Sequence, residues 1–246
     1  YKEAQALQII NHQVMRADNM IRYESPSMAG LTLYGEYSNG VDGDDAVPSS
    51  KRDRFAAVGA QYRRGPLRLV FVADNYFYQR GTSFYNRDDS RTYNLGIRWK
   101  IDDLTLYGAY QYGSNVEKVG NQMTRYKKTD TNATKYGNEG FDSHAVVLGA
   151  VYDVFGGRLK MQTGYATGDN DTFKVRASSG KRTDVKVEAD VWQLALGYDY
   201  PLSKRTYVYA AASYVDRTYK EDGQKVFGAK KTDTVRAAML GICHAF

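Results

Sequence analysis

The sequence predicts an all-β protein, and within that class a transmembrane antiparallel β-barrel. Large residues alternate with small or polar ones along many short runs, which gives a strand one face for lipid and one for water. Short and long connections alternate between those runs, and no run approaches the 18 or so apolar residues of a membrane helix. The 22 tyrosines fit this prediction, because a ring with a polar tip suits a membrane–water boundary.

The repeating unit is clearest over residues 192–216, where two strand-like runs flank the turn PLSKR. In the first run, large residues from Trp192 to Tyr200 alternate with small or polar ones such as Gln193 and Gly197. Pro201 cannot donate to a sheet and therefore marks the turn. The same pattern predicts eleven strands in chain order, at residues 20–24, 31–38, 53–63, 67–77, 91–101, 104–113, 143–154, 158–168, 192–200, 206–216 and 234–246.

The connections between these strands alternate strictly in length. SPSMAG, Gly65-Pro66, Asp102-Asp103, FGG and PLSKR are short, whereas the loops at 39–52, 78–90, 114–142, 169–187 and 218–233 are long and polar. Outer-membrane barrels have short periplasmic turns and long external loops, and their strand number is even. The last strand then descends from a long loop, so we expect an odd number of strands ahead of Tyr1. Residues 1–18 lack the two-residue period and predict one or two turns of helix.

Net charge and cysteine content limit the kinds of ligand and partner that the chain is expected to bind. The formal net charge of +6 could suggest a nucleic-acid site, but lysine and arginine are scattered along the chain, and an anion-attracting surface or pore fits equally well. The single cysteine excludes an internal disulfide framework. We expect no metal site, no cofactor and no nucleic-acid partner.

Two blocks and the chain end resemble a known family. RADNMIRYESPSMAGLTLYGEYSNG (residues 16–40), LGYDYPLSKRTYVYAAASYVD and the terminal GICHAF resemble segments of the general porins of Gram-negative bacteria, specifically the neisserial and β-proteobacterial type. The resemblance implies a sixteen-stranded barrel in the outer membrane, assembled as a homotrimer. It also implies a single barrel domain over 1–246, in which 1–18 are a remnant of the inward-folded constriction loop and 19–246 hold strands six to sixteen.

Inward-pointing basic residues are the candidate functional residues. The alternation places six of them on the water side, together with carboxylates that include Glu24, and a basic pore wall lowers the electrostatic barrier for anions. The same charges could equally serve to solvate the wall and pair with those carboxylates. The resemblance adds Arg16 as a weaker member of the basic cluster, ranks Arg22 first, and makes His244 and Phe246 the membrane-assembly signal. The six are Arg22, Arg68, Arg98, Lys100, Arg158 and Lys160.

Three functions remain open at this stage. The first is a general diffusion porin that passes small hydrophilic solutes, with a preference for anions, in contact with outer-membrane lipid and lipopolysaccharide. The second is an outer-membrane barrel enzyme, for which Ser143 and His144 are the only suggestive neighbours, although adjacent strand residues point to opposite faces. The third is a soluble β-sheet binding protein. We expect the first, with no catalytic residues.

Overall fold

The chain forms one large antiparallel sheet. A computed structural model describes residues 9–10, 16–41, 48, 51–78, 88–120, 123–124, 140–170, 173–176, 182–221, 224–225 and 233–245. Eleven long strands and the two-residue strand Gln224–Lys225 make up this sheet, and each long strand pairs with its neighbour in sequence. The long strands are β1 (Met20–Glu24), β2 (Leu31–Ser38), β3 (Arg54–Arg64), β4 (Leu67–Phe77), β5 (Ser90–Ile101), β6 (Leu104–Val116), β7 (Phe141–Val154), β8 (Gly157–Asn170), β9 (Val187–Pro201), β10 (Thr206–Glu221) and β11 (Asp233–His244).

The predicted alternation is confirmed in the side-chain exposures. On one face, Leu95 and Leu196 are 54% and 53% exposed. On the opposite face, Gln111 and Gln193 are 3% and 0% exposed. This distribution is the reverse of that in a water-soluble domain, where large apolar groups are buried and amides face water. We call the face with Leu95 the outer face and the face with Gln193 the inner face.

The short connections lie where the sequence predicts them. Gly65, in the tight turn between β3 and β4, has a φ of 54°, a conformation that glycine adopts without strain. The backbone N–H of Lys100 donates to the carbonyl of Pro66 at 3.2 Å, which ties the end of β5 to that turn. β1, β2 and β4 have the predicted bounds, and the other strands extend by a few residues into the predicted loops or begin or end within two residues of expectation.

The predicted loop over residues 114–142 is partly wrong. β6 continues to Val116, β7 begins at Phe141, and the short strands Lys118–Val119 and Met123–Thr124 pair with each other. Val116, Val119 and Phe141 are buried in an apolar cluster with Ile9, on the inner face. These residues show no apolar period in the sequence because contacts with distant strands bury their side chains. A short hairpin, Phe173–Arg176 with Arg182–Val185, likewise lies inside the predicted loop at 169–187.

Ile9 and Ile10 lie on the inner face, whereas most of the predicted helix at 1–18 lies outside the described residues. A Cβ added to Gly164 would be 2.7 Å from Cγ1 of Ile9, so β8 leaves room for this side chain only because it has glycine there. Ile10 borders the same inner-face cavity as Arg68 and Lys160. Ile9 and Ile10 therefore contact the middle of the inner face.

β1 and β11 are the two edges of the sheet and do not pair with each other within the described part of the chain. The described residues contain no helix with the length and hydropathy needed to cross a membrane.

Candidate functional site

The inner face is concave and encloses a cavity. A volume of 530 Å³ is lined by residues of β4 on one side and of β11 on the other, with the strands between them contributing as well. Arg68 on β4 and Met239 on β11 both lie on the inner face and line the same cavity. The sheet must therefore curve around this cavity. The inner face therefore has the shape of a segment of channel wall.

All six basic residues predicted to point inward lie on this face. The register pairs Arg22 with Glu36, Arg68 with Arg98, and Lys160 with Gly197, and directly opposed residues of antiparallel strands share a face. Lys100 and Arg158 follow by the two-residue period. Each residue lies within a few positions of a short turn, so the basic groups occupy one end of the wall instead of its middle.

Arg158 and Lys160 share a carboxylate partner that sequence reasoning did not single out. Asp199 on β9 is 8% exposed, and its Oδ2 atom is 3.6 Å from Nη2 of Arg158. The ammonium of Lys160 also contacts Oδ2 of Asp199. The register places Asp199 opposite Arg158, which is information that a single strand does not contain. We call these three residues the paired cluster.

Arg22 is also paired. Its Nη2 atom is 3.4 Å from Oε2 of Glu24, and its Nε atom is 3.5 Å from Oε1 of Glu36 on the neighbouring strand. The guanidinium also lies over the ring of Tyr34, 5.5 Å from the centroid. The ranking of Arg22 as the first pore-lining residue stays a prediction, and the carboxylates offset much of its charge.

Arg16 lies before β1 and outside the sheet. Its Nε atom is 3.4 Å from Oδ1 of Asp18, and its side chain is 88% exposed. The structure thus does not bring Arg16 to the strand positions that hold the other basic residues.

A second set of basic residues has no carboxylate partner within the described part of the chain. Arg63, Arg68 and Arg98 are directly opposed to one another across β3, β4 and β5. None of the three forms an ion pair with any residue that the structure describes. Sequence reasoning missed Arg63, although a register counted outward from the tight Gly65-Pro66 turn would have placed it opposite Arg68. We call these three residues the arginine row.

The sequence of this chain matches a known family over most of its length. Residues 4–220 match the profile of the Gram-negative porin family. The chain belongs to this family. The predicted fold class and outer-membrane location are confirmed by this membership, and the family is one of porins.

Individual relatives agree with the family assignment. An outer membrane porin protein of Bordetella pertussis is 26% identical over 253 residues, which cover 94% of this chain and 58% of the Bordetella protein. This porin chain therefore spans little more than half the length of that relative. The expected β-proteobacterial type is confirmed by this match together with the family profile.

Two solved structures share the fold. The anion-selective porin from Comamonas acidovorans superposes with a TM-score of 0.56 at 21% identity, covering 94% of this chain and 60% of that chain. OmpT of Vibrio cholerae, with its loop L8 deleted, gives a TM-score of 0.53 at 12% identity and covers 92% of this chain and 62% of that chain. At these identities the likeness shows the fold alone.

The outer face of this porin chain carries two aromatic bands with aliphatic side chains between them, as in membrane barrels. His144, in the band near the long loops, contacts the Tyr110 hydroxyl through Nδ1 at 2.8 Å and lies against the Tyr112 ring. The bands include Tyr93, Tyr112, Tyr165 and Trp192 toward the long loops, and Trp99, Tyr152, Tyr198 and Tyr200 toward the short turns.

The residues of the predicted assembly signal are only partly described. His244 is the last residue of β11, on the outer face, and its Nδ1 atom is 2.8 Å from the hydroxyl of Thr206. Phe246 lies outside the described residues. The role of both in membrane assembly stays a prediction.

The enzyme alternative finds no support in the geometry of Ser143 and His144. Ser143 is opposite Gly168 on the inner face, whereas His144 is opposite Thr167 on the outer face. A nucleophile and its base must be within hydrogen-bond reach of each other, which this arrangement prevents. Across the described residues, no group of His, Cys, Asp or Glu side chains could hold a metal ion.

Proposed function

We propose that this chain forms part of the wall of an outer-membrane general diffusion porin, which passes small hydrophilic solutes and ions and favours anions. The observation that carries the proposal is the separation of chemistry between the two faces of one curved sheet. Apolar side chains cover the outer face, and basic side chains outnumber acidic ones at the short-turn end of the inner face. Passage through such a wall requires no reaction and no cofactor.

The anion preference follows from uncompensated positive charge along the path. Arg63, Arg68 and Arg98 have no acidic partner among the described residues, and the inner positions of β3, β5 and β6 hold no carboxylate. A narrow, water-filled passage with low-dielectric walls concentrates the field of such charges and attracts anions. The name of the Comamonas porin, which is described as anion-selective, adds support from a protein with the same fold.

The proposal extends to the assembly. Sixteen strands, of which this chain supplies strands six to sixteen, close the barrel, and residues 1–18 are the end of a loop that folds inward at the constriction. The contact of Ile9 with the inner wall at Gly164 supports the inward position of that segment. Three copies associate in the membrane, surrounded by lipid and lipopolysaccharide. Closure of a single inserted unit in three equal conductance steps under applied voltage is the expected signature of the trimer.

The test is a reversal-potential measurement on the full-length protein in a planar bilayer under a KCl gradient. An anion-favouring pore gives a potential displaced toward the chloride equilibrium potential. A zero potential would remove the anion preference, and a membrane that stays non-conducting after confirmed insertion would contradict the pore itself.

A further inference from the structure

The arginine row is an unusual arrangement within a sheet. Residues directly opposed on neighbouring antiparallel strands have Cβ atoms about 5 Å apart, and like charges at such positions destabilise the sheet. Here Arg63 is opposed to Arg68, and Arg68 is opposed to Arg98, so three positively charged residues occupy adjacent positions across three strands. The row spans about 10 Å at the usual spacing of strands.

The surroundings of the row do not neutralise it. Along the inner face, β3 continues from Arg63 to Gln61 and Gly59, and β5 continues from Arg98 to Gly96 in one direction and Lys100 in the other. The nearest carboxylate on these strands is Asp74, six residues along β4 from Arg68, and it accepts a hydrogen bond from Thr92. Lys100, two residues along β5 from Arg98 on the same face, adds a fourth cation beside the row.

The row also faces open space. Arg68 and Arg98 border the 530 Å³ cavity of the inner face. The next residue in the same row, on β6, is Tyr107, which borders the same cavity and can donate a hydrogen bond through its hydroxyl group. A ligand in this space therefore meets several hydrogen-bond donors that are aligned on one wall.

We propose that the arginine row is a saturable binding site for oxyanions that carry two or more negative charges, such as hydrogen phosphate or a dicarboxylate. Guanidinium groups bind the oxygens of phosphate and carboxylate in a bidentate manner. A doubly charged oxyanion bridges two neighbouring guanidinium groups and removes their repulsion, whereas a chloride ion offers a single charge and no fork geometry. The site deepens the proposed function, on which it rests, by naming a class of preferred solute.

The test measures block of chloride current through the full-length protein in planar bilayers at constant ionic strength. Added phosphate and added succinate form two separate arms, which distinguish phosphate recognition from general recognition of dianionic oxyanions. At least one of them reduces the chloride current along a saturation curve. In Arg68→Gln, the half-blocking concentration rises about tenfold, as expected for loss of one charge-assisted bidentate contact.

Arg64 supplies a matched control. It neighbours Arg63 in sequence but pairs with Leu67 on the outer face, so Arg64→Gln removes the same charge from the opposite side of the wall. The half-blocking concentration in Arg64→Gln equals that of the unmodified protein. Block that weakens equally in Arg64→Gln and Arg68→Gln, or current that falls linearly with no saturation, would overturn the proposal.

A conservative variant separates binding from general attraction. Arg98→Lys keeps the positive charge but lacks the fork of the guanidinium group. We expect the reversal potential in a KCl gradient to stay unchanged and the block by phosphate or succinate to weaken. An unchanged block in Arg98→Lys would overturn the binding site and leave the anion preference intact. Absence of an anion preference in the unmodified protein would count against the proposed function instead.

Discussion

The paired cluster and the arginine row lie at the same end of the inner face, but their electrostatics differ. Asp199 brings Arg158 and Lys160 together and is itself nearly buried between them. The arginine row has no such carboxylate among the described residues, and its members repel one another. The comparison indicates that a basic residue on a pore wall can either hold the wall together or act on the solute, and the presence of an opposed carboxylate decides between the two.

The largest expected effect is on stability at the paired cluster. Asp199→Asn leaves Arg158 and Lys160 close together without their carboxylate, and loss of a charged hydrogen-bond partner costs about 1–3 kcal/mol of unfolding free energy. Urea unfolding of the vesicle-inserted protein measures it. Asp102→Asn is the control, because Asp102 is exposed in the turn between β5 and β6 and forms no ion pair with a described residue, and it changes the unfolding free energy by less than about 0.5 kcal/mol. Equal losses of unfolding free energy in the two variants would contradict a special stabilising role for Asp199.

Removing a charge from the arginine row is expected to raise the unfolding free energy, whereas Asp199→Asn lowers it. Arg68→Gln removes the like charge opposed to Arg63 and Arg98, and we expect the unfolding free energy to rise by about 0.2–1 kcal/mol while the anion preference falls. The same urea titration, together with the reversal potential in a KCl gradient, measures both quantities. A variant that is less stable than the unmodified protein would show that the row is held by attractive contacts.

The smallest effect is expected at Arg22. Its charge is already offset by Glu24 and Glu36, so Arg22→Ala lowers the anion preference less than Arg68→Gln does. Reversal potentials of the two variants, recorded in the same salt gradient, provide the measurement. If Arg22→Ala gives the larger shift, the resemblance-based ranking of Arg22 is right and pairing with carboxylates does not decide function.

Much of the fold could be predicted from the sequence because a membrane barrel repeats one local rule. Alternation fixed both ends of β2 and of β4, and it assigned Arg68 and Arg98 to the correct face. The rule fails where long-range contacts bury a side chain, as with Val116, which sequence reasoning placed in a polar loop.

The candidate site was less predictable, since charge pairing depends on neighbours across strands. A single strand shows that Arg158 points inward, but only the register shows that Asp199 lies opposite. The tight Gly65-Pro66 turn carried the one local signal for the arginine row, because a short turn fixes which residues face each other on either side of it.

The proposed pore requires that alternate residues of each strand contact lipid on one face and water on the other. β5 tests it directly, because Tyr93, Leu95 and Ile97 lie on the outer face and Asn94 and Gly96 on the inner face. With Cys243, the one cysteine of this chain, changed to serine, single cysteines are introduced at residues 93–97 of the membrane-inserted protein and treated with a charged, membrane-impermeant thiol reagent. We expect rapid labelling at 94 and 96 and protection at 93, 95 and 97. Uniform labelling, or labelling with the opposite period, would contradict it.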